Sequence, residues 1–192
     1  MNRYLFLSII IVNYKVKKEL FECIGSIYKL KPDISFEIIV VDNDEKKTIE
    51  KDLNKEFPKV KYIKSLKNIG YGAGNNLGAK FAKGEYLFIL NPDTKFYSGN
   101  ISKIINPFEK DRNIGIIAPL LLDVENKPYK LQGTKELTPT RALFSLSFLS
   151  KIFHKNRIYK DYYFLGWNKN KLKEVDVVPG TAFVIKKELF DK

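Results

Sequence analysis

Asn13, the run Asp42-Asn43-Asp44 and the run Asn91-Pro92-Asp93-Thr94 each follow directly on an apolar stretch. Amide and carboxylate side chains in such places exchange hydrogen bonds with a polar ligand. An acidic one can also give one or two oxygens to a divalent cation while a diphosphate fills other positions, because Mg²⁺ and Mn²⁺ prefer oxygen ligands and keep waters. Asp93 is the metal candidate on that ground; an Asx turn after Pro92 is the competing reading when the residue is taken alone. Any one of the three runs would pass as a helix cap or a turn. Three of them at the ends of strands point to a ligand rim, since an open parallel sheet binds ligands at the carboxyl ends of its strands.

Between the second and third runs lies Asn68-Ile69-Gly70-Tyr71-Gly72-Ala73-Gly74-Asn75-Asn76-Leu77-Gly78. It is no Walker A loop, since no Gly-Lys-Ser/Thr occurs, and its glycines miss the G-x-G-x-x-G register of a dinucleotide fingerprint. Two readings stay open. In one, backbone N–H groups and the amides of Asn75 and Asn76 approach a polar ligand, with the following helix N-terminus favouring negative charge. In the other, the stretch is a flexible turn and Gly78 packs a helix against a sheet.

The elements that must position these residues follow from periodicity. Residues 5–12 (LFLSIIIV) form a continuous apolar strand, and Leu20, Ile24, Ile27 and Tyr28 mark a helix over 16–30. A second strand covers 37–41, a short helix carries Ile49, Leu53 and Phe57 before Pro58, and a third strand alternates over 60–65. The glycine-rich stretch leads to a helix at 77–82, then to the strand Tyr86-Leu87-Phe88-Ile89-Leu90. This alternation predicts an α/β fold with a Rossmann-like, mostly parallel sheet, flanking helices and right-handed crossovers. Ile101, Ile104, Ile105 and Phe108 mark a further helix, 115–118 a short strand, and 175–185 a strand, a turn and a second strand. The C-terminal part is therefore mixed. A single domain over 1–192 is expected, with 1–98 as the nucleotide-binding half and 99–192 as the start of an acceptor half.

The chain has 192 residues and 34 Lys and Arg against 22 Asp and Glu, a formal charge of +12. That balance favours anionic partners without choosing among nucleic acid, anionic lipid and phosphate-bearing substrates. One cysteine, Cys23, and one histidine, His154, leave no material for a zinc cluster or a histidine-based triad. MNRYLFLSIIIV lacks the small-residue cleavage site of a signal peptide and reads as a buried strand of a cytoplasmic protein. Residues 141–153 (RALFSLSFLSKIF) are apolar and lead into a basic tract from His154 to Lys160; a core or lid helix and a membrane-surface helix both remain open.

Ser8 to Tyr14 (SIIIVNY), Ile38 to Asn43 (IIVVDN), Asn68 to Gly78, Leu90 to Thr94 (LNPDT) and Val178 to Ile185 (VPGTAFVI) with Glu188-Leu189-Phe190 resemble, in order and spacing, the inverting glycosyltransferases of family 2, especially their rhamnosyltransferase-like branch. The resemblance covers essentially the whole chain. It implies a GT-A fold, a nucleoside-diphosphate sugar donor, a divalent cation (Mg²⁺ or Mn²⁺) and a role in cell-envelope polysaccharide biosynthesis.

Carried over by motif, Asp42 would contact the nucleotide base or ribose, bordered by Asn13 and Asn43. Gly72, Asn75 and Asn76 would lie beside the donor with Asn91, Asp93 would take the metal position, and Gly180 and Thr181 would lie near the sugar and acceptor. Here the acidic motif is Asn91-Pro92-Asp93, with one carboxylate. The resemblance also implies a general base in an acidic segment after the helix that begins near Lys187, so that base is expected beyond Lys192. The chain by itself is then expected to bind nucleotide and to transfer sugar poorly. A glycan or lipid-linked acceptor is implied; for the basic tract, peripheral contact with anionic lipid at the inner membrane face and a bland solvated face both stay open. The alternatives are a non-catalytic nucleotide-binding or interaction domain, and a nucleic-acid binder. The second ranks below the rest because the basic residues are scattered and form no recognised module.

Overall fold

The structure, a computed structural model, describes residues 6–129, 132–152, 156–169 and 171–192. Its elements in chain order begin with β1 (Phe6–Asn13), α1 (Lys17–Leu30), β2 (Ser35–Asp42), α2 (Glu50–Glu56), β3 (Lys61–Lys64), α3 (Tyr71–Lys80) and β4 (Tyr86–Leu90). They continue with α4 (Ser102–Lys110), β5 (Ile116–Ile117), α5 (Pro139–Ser145), α6 (Leu149–Ile152), α7 (Arg157–Tyr162), β6 (Ala182–Lys186) and α8 (Lys187–Phe190). The chain forms two compact units, one running to Ile117 and including Gly180–Lys192, the other Ala118–Pro179.

The first unit is built on a six-stranded sheet in the order β3-β2-β1-β4-β6-β5. β1 pairs in parallel with β2 and β4, and β2 with β3, whereas β6 runs antiparallel to β4 and β5. The expected mostly parallel α/β sheet is therefore present. β1 and β4 are central, and the continuous apolar runs follow from burial on both faces: Leu7, Ile9, Ile10, Ile11, Leu87 and Phe88 are fully buried. Each such side chain contributes about 1.5–3 kcal/mol on burial. Ser8, polar within that run, is satisfied because it donates to Glu37 Oε1 at 2.7 Å and accepts from Gly84 N at 2.8 Å.

α1 buries Leu20, Cys23, Ile24 and Ile27, one stripe at helical spacing, and places Glu19 in its first turn and Lys29 in its last, as the helix dipole favours. It stops at Lys31, whose φ of 51° is left-handed and whose N–H bonds to Tyr28 O.

The second unit is less regular. α5 starts on a Thr138 cap with Pro139 in its first turn, and α7 on an Asn156 cap that accepts from Tyr159 N at 2.7 Å. The single apolar segment expected over 141–153 is divided into α5 and α6, and its last residue, Phe153, lies outside the described residues, as does His154. The strand expected from Val175 is absent: Val177 makes only an isolated bridge with Thr134, and regular pairing begins at Ala182. Pro179 and Gly180 interrupt the ladder, and only the residues after them lie against β4.

Candidate functional site

Parallel register brings the carboxyl ends of the central strands level, with Asn13 beside Asp42 and Ile11 beside Leu90. Asp42 is the hub of this rim. Its Oδ1 accepts from Asn13 Nδ2 at 2.9 Å and Asp44 N at 3.2 Å; its Oδ2 accepts from the Tyr62 hydroxyl at 2.7 Å and Lys64 Nζ at 3.2 Å. The carboxylate is fully buried, so the Lys64 charge and four donors offset its lost hydration. Lys64 also bonds to the carbonyls of Asp44 and Lys47, clamping the turn that Asp44 Oδ1 builds on the Lys46 and Lys47 N–H groups. Burial pushes the Tyr62 phenol up to about 12, with neighbouring Asp42 adding to the rise and a hydrogen bond from Thr48 opposing it.

Tyr62 and Lys64 were not among the residues expected at this rim. Their signal is positional: on a strand they alternate with Ile63, so both project to one side, and the partner strand ends there in Asp42.

The glycine-rich stretch is where expectation and structure differ most. The helix begins at Tyr71, not at Leu77, so Gly72, Gly74, Asn75 and Asn76 lie on α3 and not in a flexible turn. Glycine inside a helix costs roughly 1 kcal/mol relative to alanine, and here close packing requires it. A Cβ at Gly74 would stand 2.9 Å from Val12 Cγ1, and one at Gly78 would stand 2.6 Å from Ile10 Cγ2. The two positions are one helical turn apart and let α3 lie directly against β1 and β2. Gly70, with φ +83°, turns the chain into the helix, and its carbonyl accepts from Asn43 Nδ2 at 3.0 Å. Asn75 is buried against this wall; Asn76, the next residue on the helix, is exposed.

The acidic run is held from three sides. Asn91 N donates to Thr181 O at 2.9 Å, while Asn91 O accepts from Thr94 N, from Thr94 Oγ1 at 2.7 Å and, weakly, from Cys23 Sγ at 3.9 Å. This turn is built on the Asn91 carbonyl and Thr94, not on the Asp93 side chain as the Asx-turn reading would have it, and Asp93 is exposed. Gly180 is joined to the start of α3, because the Tyr71 hydroxyl donates to its carbonyl at 2.8 Å. Burial raises the Tyr71 phenol, a hydrogen bond with Asn75 lowers it, and the charge of Asp93 raises it. Asn13, Asp42 and Asn43 therefore share one polar wall beside α3, which carries Asn75, and Tyr71 joins α3 to Gly180, next to the Thr181 that accepts from Asn91.

The wall has three open acceptors. The side-chain oxygens of Asn13, Asn43 and Asn75 are buried and meet no hydrogen-bond donor among the described residues. Buried polar atoms are paired as a rule, by protein or by water, so three unpaired oxygens beside Asp42 make this rim the candidate site. Among the described residues no group of three or more His, Cys, Asp and Glu side chains could hold a metal ion. The described residues supply no cage of their own, but the one exposed carboxylate of Asp93 fits a cation held jointly with substrate phosphates.

Residues 8–192 match the family described as Glycosyl transferase family 2, and the chain belongs to that family. It is 28% identical over 190 residues to the low-salt glycan biosynthesis hexosyltransferase Agl10 of Haloferax volcanii, an alignment covering 97% of this chain and 54% of that protein. The chain thus spans about half the length of this curated relative. Its fold is shared with the S. aureus TarS 1–349 crystal structure, at a TM-score of 0.57 and 17% identity over 96% of this chain and 48% of that one. It is shared as well with the mannosyltransferase PcManGT from Pyrobaculum calidifontis in complex with GDP-mannose and Mn²⁺, at a TM-score of 0.61 and 14% identity over 96% and 45%. These likenesses identify the architecture as a GT-A fold.

Proposed function

We propose that the chain is the donor-binding part of an inverting hexosyltransferase, which moves a sugar from a nucleoside diphosphate to a hydroxyl of a glycan or lipid-linked acceptor in cell-envelope polysaccharide synthesis. The observation that carries this reading is the polar wall around Asp42, with the buried, orphaned oxygens of Asn13, Asn43 and Asn75. Such acceptors suit the N–H and O–H donors of a nucleobase and ribose. Family membership supplies the reaction class.

In this reading Asn13, Asp42 and Asn43 meet the base and ribose. Both oxygens of Asp42 already have donors, so a base N–H reaches the carboxylate by taking the place of one of them. Lys64, the one cationic donor and the most exposed, is the group that yields. Gly72, Asn75 and Asn76 on α3, with Asn91, line the donor, and Gly180 and Thr181 adjoin the sugar and acceptor. Asp93 holds Mg²⁺ or Mn²⁺ together with the diphosphate; when bound, that cation would offset the charge of the departing nucleoside diphosphate. Inversion also needs a general base at the acceptor hydroxyl, and no residue of this chain is assigned that role. The protein works in the cytoplasm, peripherally at the inner membrane face.

Calorimetric titration with UDP, dTDP and GDP, each with and without Mn²⁺, tests the reading on the parent chain and on Asp93→Ala. Expected is metal-dependent binding of one nucleotide, lost in the variant while the fold is retained. Failure of all three to bind would overturn it. Preference for dTDP would favour rhamnose, the sugar of the branch that the motifs resemble, and preference for GDP would favour mannose, the sugar present in the solved neighbour.

A further inference from the structure

The second unit carries a surface that the donor site does not use. Leu143, Leu146, Phe148 and Ile152 all lie exposed within ten residues, Phe148 at 72% and Ile152 at 63%. Leu146 and Phe148 fall in the short connection between α5 and α6, so neither helix shields them. Isolated apolar side chains at a surface need no explanation, but four in such a short stretch do.

Charge is equally uneven. Between residues 141 and 173 the sequence places eight Lys and Arg against one acidic residue, Asp161. That carboxylate is already engaged by Lys135 Nζ at 2.9 Å. Lys151, within the apolar run, and Arg157 and Lys160, after it, are exposed. No helix among the described residues is long and apolar enough to cross a membrane.

The geometry points to residues 143–152 and 157–160 as a docking surface for an anionic lipid bilayer: Leu146 and Phe148, with Leu143 and Ile152, enter the headgroup and acyl boundary while Lys151, Arg157 and Lys160 meet the headgroups. Aliphatic side chains next to excess positive charge gain from both layers of such an interface. A nucleic acid would satisfy the charges and leave Leu146 and Ile152 in water. The inference deepens the peripheral membrane location of the proposed reading and is independent of its sugar transfer, so its test has no nucleotide in it.

Co-sedimentation of the full chain with phosphatidylcholine vesicles, and with phosphatidylcholine–phosphatidylglycerol vesicles, reads this directly. Binding is expected only to the anionic vesicles and should weaken as salt is added. Neutralising Lys151, Arg157 and Lys160 together to Gln should lower the partition coefficient on the order of a hundred-fold, from about five-fold for each charge. Leu146→Ser with Phe148→Ser should lower anionic-vesicle binding at least ten-fold with every charge in place; circular dichroism establishes that each variant is folded. Equal binding to neutral vesicles, binding unchanged in either variant, or binding to heparin or RNA with none to anionic vesicles would overturn the proposal.

Discussion

The Tyr71 hydroxyl donates to the Gly180 carbonyl at 2.8 Å and joins residues 109 positions apart. It ties the first turn of α3 to the strand that passes Asn91. Tyr71→Phe removes the donor and keeps the ring. Since the residue is partly exposed and water can replace the lost bond, unfolding in urea should show a loss of about 1 kcal/mol or less. The larger effect should be weaker nucleotide binding, because α3, which carries Asn75, loses its tie to Gly180. Unchanged affinity in the titration would separate this contact from the donor site.

Two glycines of α3 should respond to alanine in opposite directions. At Gly78 a Cβ would stand 2.6 Å from Ile10 Cγ2 and 3.3 Å from Val41 Cγ2, so Gly78→Ala should destabilise by roughly 1–3 kcal/mol despite the better helix propensity. Gly72 has nothing within 4 Å of its Cβ position. Gly72→Ala should therefore raise the denaturation midpoint by up to about 1 kcal/mol in stability. If it also weakens nucleotide binding, the donor approaches the α3 backbone at that residue.

Asp42→Ala would leave Asn13 Nδ2, the Tyr62 hydroxyl and Lys64 without their common acceptor. Removing one member of a buried charged network costs on the order of 3 kcal/mol, somewhat relieved because Lys64 can turn to water. Chemical denaturation should show that loss, and it should greatly exceed the effect of Asp93→Ala. Asp93 is exposed, and among the described residues no donor reaches it.

Burial pushes the Cys23 thiol from an ordinary 9.0 up to about 11, with the Thr94 hydrogen bond opposing and the charge of Asp93 assisting. In the folded protein a thiol reagent should react very slowly at neutral pH and rapidly once denaturant is added. The folded state holds this proton more tightly than the unfolded one. Its contribution to stability is therefore complete below pH 9 and falls away between pH 9 and about 11, with a slope of at most about 1.4 kcal/mol per pH unit. Cys23→Ser should flatten that part of the profile. Unfolding curves recorded across that range would measure it.

Much of this architecture is legible in the chain because it rests on local patterns. The apolar runs of β1, β2 and β4 signal burial on both faces, and their alternation with amphipathic helices dictates parallel pairing with rims at the carboxyl ends. Asn13, Asp42 and Asn91 stand at those rims because they directly follow the strands. The family, too, is carried by motifs spread over residues 8–192.

Other features depend on contacts between distant segments, and no local period encodes them. Read locally, Gly70 to Gly78 resembles a loop, because helix propensity counts each glycine as a cost. Only the approach of α3 to Ile10, Val12 and Val41 turns Gly74 and Gly78 into requirements for a helix. Likewise Tyr62 and Lys64 look like ordinary residues of an edge strand until β3 pairs with β2 and brings both to Asp42. Sequence order determined which residues reach the rim; packing between strands and helix decided which of their atoms are already bonded and which remain open to a ligand.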